Sequence, residues 1–163
     1  MSRKRSNRKP RPVWTNPIEV AIESARKLPA DDVEKLKAAL HRALGDFRKG
    51  IECPRNWADL ADAMNMAEAL SLLGILADED SKRWFQRAQD ALSSVRDRCS
   101  ATGSWTLRAP EVDALVEGLF LHDIQLRFCS LGEFDRARQI VTNRCSQALA
   151  GNAGPGVKVV RAA

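Results

Sequence analysis

The run from Trp57 to Leu76, WADLADAMNMAEALSLLGIL, constrains the fold more than any other stretch of the chain. Only six of its residues are not Ala, Leu, Met, Ile or Trp, and none is proline. Such a composition favours helix on intrinsic propensity. The six exceptions, Asp59, Asp62, Asn65, Glu68, Ser71 and Gly74, recur at every third position. At about 100° per residue, a three-residue spacing precesses by about 60° per step, so this polar stripe winds around the helix. Different neighbours must then cover its two ends, which places the segment inside a bundle and not on its rim. The reading is an all-α domain with this run as its central helix.

The flanking segments carry helical spacing as well. Asn16 is placed to cap a helix opened by Pro17, with Glu19 three residues after the cap; Ile18, Ile22, Ala25 and Leu28 follow, and Pro29 stops it. A second helix starts at Asp31 or Asp32 and runs through Val33, Leu36, Leu40, Ala43, Leu44 and Phe47 to a stop at Gly50. After the central helix, where Gly74 costs about 1 kcal/mol against Ala unless the end frays or a helix comes close, a fourth spans Asp80 to Cys99. It carries Trp84, Ala88, Ala91, Leu92, Val95 and Cys99 on one side, and Gly103 closes it. The link GSWTLRA offers Trp105 and Leu107 as plugs for the bundle end.

Pro110 and Glu111 open a fifth helix through Val112, Leu115, Val116, Leu119, His122 and Leu126, with Phe120, Ile124 and Phe128 widening its apolar face. Ser130 and Glu133 form an S-x-x-E capping box for a sixth, striped by Phe134, Ala137, Val141, Cys145 and Ala148. No internal repeat emerges, tyrosine is absent and β-branched residues are thin. Six helices joined by short links predict an irregular bundle over residues 14–150, long enough to bury a core without staples. Residues 1–13, with two prolines and no core-forming periodicity, predict a disordered basic arm, and residues 151–163 a disordered tail.

The net charge of +5 is concentrated in one place. Arg3, Lys4, Arg5, Arg8, Lys9 and Arg11 lie within the first twelve residues with no acid among them, leaving 20 of the 26 basic residues against all 21 acidic ones. The body is close to neutral, and the excess sits on the arm. Flexible cationic arms bind phosphate backbones through counterion release without reading sequence. A solubilising tail, or contact with an acidic surface, accounts for the same tract equally well. Trp14, at the junction of arm and domain, suits an interaction anchor, since Trp is enriched at binding hot spots; core packing carries more weight, given the area one Trp buries.

Little else in the chain carries chemistry. Cys53, Cys99, Cys129 and Cys145 are widely spaced and no apolar run follows the basic start, which reads as free thiols in a reducing, cytoplasmic setting. No two Cys or His form a CxxC, CxxH or HxxxH pair, so no metal is expected, and Cys99 and Cys145 fall on apolar stripes as core thiols. His122 and Asp123 are adjacent and so point about 100° apart, which makes His122 a hydrogen-bonded histidine at the core's edge and not a general base. His41 reads as solvated. Asp59, Asp62 and Glu68 lack the E-x-x-H partners of a di-metal bundle and read as a solvated stripe. GxGxxG, P-loop and GxSxG motifs are missing, so no cofactor and no enzymatic activity are expected. The central run is too interrupted by Asp, Asn and Glu to span a membrane.

The succession WADLADAMNMAEALSLLGI, then SWTLRAPEVDALVEGLFLHDIQL, then a short Glu-containing cap and a final helix resembles small all-helical proteins of unassigned function encoded in phages, prophages and plasmids of Gram-negative bacteria. The likeness extends over roughly residues 11 to 151. It implies an accessory protein of a mobile element, a class dominated by regulators, anti-defence inhibitors and small assembly factors, and it transfers no site residue. The expectation is a non-catalytic binding protein whose arm contacts nucleic acid or a nucleoprotein. The alternative is a protein-protein inhibitor of a host factor that binds no nucleic acid. Oligomeric state is left open.

Overall fold

Six helices form, each close to where the spacing places it: α1 Pro17–Ala25, α2 Ala30–Arg48, α3 Pro54–Leu72, α4 Glu79–Thr102, α5 Ala109–Phe128 and α6 Leu131–Leu149. The computed structural model describes residues 16–49, 51 and 54–150; the arm at 1–13, Trp14, Gly50, Cys53 and the tail at 151–163 lie outside the described residues. No strand occurs among the described residues, only an isolated antiparallel bridge between Lys27 and Ser130. No described helix is long and apolar enough to cross a membrane.

α3 is the axis of the bundle, packing against α2, α4, α5 and α6. Its polar stripe winds as its spacing requires. Asp59 and Asp62 are exposed, Asn65 is buried, Glu68 is half-buried and Ser71 is buried. The helix ends at Leu72, four residues before the apolar run does. Its stop is a Schellman motif: the Ile75 N–H donates to Leu70 O at 3.1 Å and the Gly74 N–H to Ser71 O at 3.0 Å. Gly74 takes the left-handed φ of 97° that this motif reserves for residues without a Cβ. Open space surrounds it, so the glycine is a stop and not a site of close helix contact.

The larger core lies between α2, α3, α4 and α5. Trp57 is fully buried there and donates its indole N–H to Leu92 O at 3.0 Å. Trp105 tilts against it with ring centroids 5.7 Å apart, and Leu107 packs beside it, so the link does plug the bundle end. In α4 the buried aromatic is Phe85, while Trp84, on the expected stripe, is half-buried under the Arg87 guanidinium 4.4 Å from its ring. α5 approaches so closely that a Cβ on Gly118 would sit 2.8 Å from both Ala88 Cβ and Met64 Sδ. A smaller core of Ala69, Leu70, Cys129 and Ala137, with Leu28, Phe134 and Val141 against it, holds α6 on the C-terminal half of α3.

α1 departs from the expectation. Its cap is in place, with the Asn16 side chain accepting from the Ile18 N–H at 3.0 Å. Yet the helix ends at Ala25 and buries none of its residues; Ile18 is 69% and Ile22 60% exposed. The reason is tertiary. Residues 26–28 turn extended, the Leu131 N–H donates to Arg26 O at 2.7 Å, Lys27 bonds Phe128 O, and Leu28 drops into the smaller core. Among the described helices α1 therefore packs on α6 alone, with Ser24 against Gly132.

Candidate binding cleft

α6 packs on α3 and α1, whereas α2 packs on α3 and α5; α2 and α6 do not touch. The face of α3 between them is left open, and a cavity of about 350 Å³ lies there. α2 contributes Leu36, Ala39 and Leu40 to it, and α6 contributes Phe134. α3 supplies Arg55, Asp59, Asp62, Ala63 and Met66; α5 closes the end with His122 and Leu126. A second hollow of about 420 Å³ continues along α6 past Arg138, Val141 and Cys145, and shares Asp62, Met66 and Phe134 with the first. The two form one trench, apolar on its walls and charged along the α3 lip.

The lip follows from helical spacing, since residues three and four apart share a face. Arg55, Asp59 and Asp62 stand in that relation on α3, all three exposed, and none forms an ion pair or hydrogen bond among the described residues. Partial burial, and then the charge of Asp59, push the Asp62 carboxyl above its ordinary value.

At the closed end a buried polar chain links α5 to the end of α3. The Gln125 amide nitrogen donates to Ala67 O at 3.0 Å, within α3, and to Ile75 O at 2.9 Å, just past its end, and so ties the two together. Its amide oxygen then faces His122 Nδ1 at 3.1 Å. Burial holds the His122 ring well below the usual histidine range, only partly offset by Gln125 and by Asp123, so the ring is neutral. His122 is 3% exposed and Gln125 fully buried, and the histidine lines the cavity as a hydrogen-bonded residue where the core meets the cleft.

Other polar pairs tie helices together beyond the reach of local spacing. His41 on α2, exposed as its place off the apolar stripe implies, also meets Asp123 on α5 at 2.8 Å, 82 residues away. Glu68 accepts from Gln89 and from Arg144, both at 3.1 Å, which joins α3 to α4 and α6 and removes it from the solvated stripe. Arg98 of α4 bonds Glu111 and Thr106 O. Glu111 also accepts the Arg108 N–H at 2.7 Å at the start of α5.

The expected anchors and thiols are distributed differently. Arg3, Lys4, Arg5, Arg8, Lys9, Arg11 and Trp14 lie outside the described residues. Cys99 and Cys145 are half-buried, and the core thiol is Cys129, raised by burial and then by Glu133. Among the described residues no three His, Cys, Asp or Glu are grouped to hold a metal ion. Apolar residues surface on α5, where Phe120 is 58% exposed; Phe128 is exposed too. Neither residue extends the buried stripe. Comparison with protein-family models, with curated proteins and with solved structures gives no match.

Proposed function

We propose that the protein is a non-catalytic, cytoplasmic binding protein of a mobile genetic element, whose basic N-terminal segment contacts nucleic acid or a nucleoprotein. One observation carries the reading: six cations and no acid lie in the first twelve residues, while the other 151 residues hold 20 of the 26 cations against 21 acids. Part of the charge of the helical body is spent locally: Lys35, Lys37, Lys82, Arg83 and Arg138 each pair with an acid one turn earlier on the same helix, and Arg26 pairs with Glu23 at the end of α1. A phosphate backbone tracked by this chain therefore meets the N-terminal segment first. The reading is non-catalytic because the sequence carries no GxGxxG, P-loop or GxSxG motif and no other catalytic constellation.

A second reading, an inhibitor that docks on a host protein, is favoured by the apolar side chains Ile18 and Ile22 on α1 and Val116 and Phe120 on α5, all exposed. One experiment separates the two. Full-length protein and protein lacking residues 2–11 are titrated with duplex DNA at several salt concentrations, and each is melted. If all six cations reach phosphates, the full-length protein has a log-log salt slope of about −5. The shortened protein keeps its melting temperature and loses most of the affinity. Equal affinities, or no binding by either at low salt, would transfer the assignment to the inhibitor.

A further inference from the structure

We propose that the cavity between α2, α3, α5 and α6 is a binding site for a small organic cation, an ammonium, amidinium or guanidinium group carried on an apolar body.

The argument begins at Gln125. Its amide nitrogen is committed to two carbonyl oxygens, Ala67 O and Ile75 O, so the opposite orientation would set oxygen against oxygen. The group facing His122 Nδ1 is therefore the amide oxygen, which can only accept. Nδ1 carries the ring's proton, and the neutral ring leaves Nε2 as a bare acceptor. That nitrogen has no hydrogen-bond partner among the described residues, although His122 is 3% exposed and lines the cavity. Nε2 is not among the fully buried unpartnered atoms, so it is open to the cavity, where a ligand can donate to it in place of water.

The other polar side chains of the cavity ask for the same chemistry. Asp59 and Asp62 present carboxylates, acceptors only, and neither has a cation within ion-pairing distance among the described residues. Arg55 stands on the same helix face and offsets one of the two charges, leaving the trio at −1. A ligand that satisfies His122 Nε2 and the remaining carboxylate must bring N–H donors and positive charge, and no acceptor. The walls decide between kinds of cation. Leu40, Met66, Leu126 and Phe134 offer nothing to a hydrated metal ion but match a ring or alkyl chain. The volume of about 350 Å³ falls at the small end of ligand sites, with room for one ring and a short chain.

The test uses full-length protein and two isosteric probes, 4-phenylbutylamine and 4-phenylbutan-1-ol, which differ in the charged head. Binding is followed by amide chemical-shift changes and by the imidazole nitrogen resonances of His122. The amine is expected to perturb Met66, Phe134 and His122 Nε2 and to bind roughly tenfold or more tightly than the alcohol, the worth of one charge-assisted hydrogen bond. The double variant Asp59→Asn with Asp62→Asn changes only exposed side chains, so it keeps the fold, checked by its melt, and should erase the preference for the amine. Equal binding of amine and alcohol, an undiminished preference in the double variant, or no perturbation of these residues at millimolar amine would each overturn the assignment.

Discussion

Replacing Gln125 by methionine tests the buried chain at the closed end of the cleft. Methionine matches glutamine in length and favours helix, so shape and propensity stay nearly constant while three hydrogen bonds disappear. His122 Nδ1–H loses its acceptor, and Ala67 O and Ile75 O lose their donor. Ile75 is half-buried, so water can reach its carbonyl, and Ala67 O keeps its i→i+4 partner within α3, so the buried His122 Nδ1–H is the group left unpaired. At about 1–3 kcal/mol for a buried group left unpaired, the expected loss is about 1–3 kcal/mol, with the extra apolar burial of methionine moving it toward the lower figure. Against a total stability of about 5–15 kcal/mol this is a large fraction. It corresponds to a fall of roughly 3–10 °C in melting temperature for a domain of this size. Urea unfolding of wild type and variant measures it, with an unchanged m-value confirming that stability alone has moved. In a cycle with His122→Leu the two substitutions should couple by about 1 kcal/mol. A loss below about 1 kcal/mol, or zero coupling, would show that the amide does not hold the imidazole.

Two glycines on helices should respond oppositely to alanine. Gly118→Ala places a methyl 2.8 Å from Ala88 Cβ, which cannot step aside, and from Met64 Sδ, which can. Overpacking of about 1–3 kcal/mol should outweigh the propensity gain of about 1 kcal/mol, for a net destabilisation, while Gly45→Ala, with nothing within 4 Å, should stabilise α2 by about 0.5–1 kcal/mol; chemical denaturation of both variants reads the two signs. His122 predicts a pH dependence. Its folded value lies below the ordinary 6.5 because the buried ring resists charging, so the unfolded chain binds the proton first. The stability linked to it is present above about pH 6.5 and lost as pH falls from there toward the folded value, at up to about 1.36 kcal/mol per unit. Unfolding free energies of wild type and His122→Asn between about pH 7 and 5 should diverge in slope, and parallel curves would show the ring to be solvated.

Much of this molecule is local and therefore legible in one dimension. The helical spacing of α2 to α6, the Asn16 cap and the Ser130–Glu133 box each involve residues within four positions of one another, and each stands in the structure. The three-residue polar period of α3 went further, because a stripe that winds calls for different neighbours at the two ends, and α3 is the helix that α2, α4, α5 and α6 share. Spacing can say that a helix has an apolar face but not that the fold supplies a surface to cover it. Ile18 and Ile22 have the same period as Leu40 and Leu44, yet the first pair is exposed and the second buried, because among the described helices α1 packs on α6 alone. The cleft belongs to the same category. Asp59, Asp62 and His122 were visible individually, but the donor chain that turns His122 Nε2 into an open acceptor runs through carbonyls 50 and 58 residues away from Gln125. Backbone carbonyls carry no sequence signature, and only the packing of α5 across the end of α3 brings them to that amide.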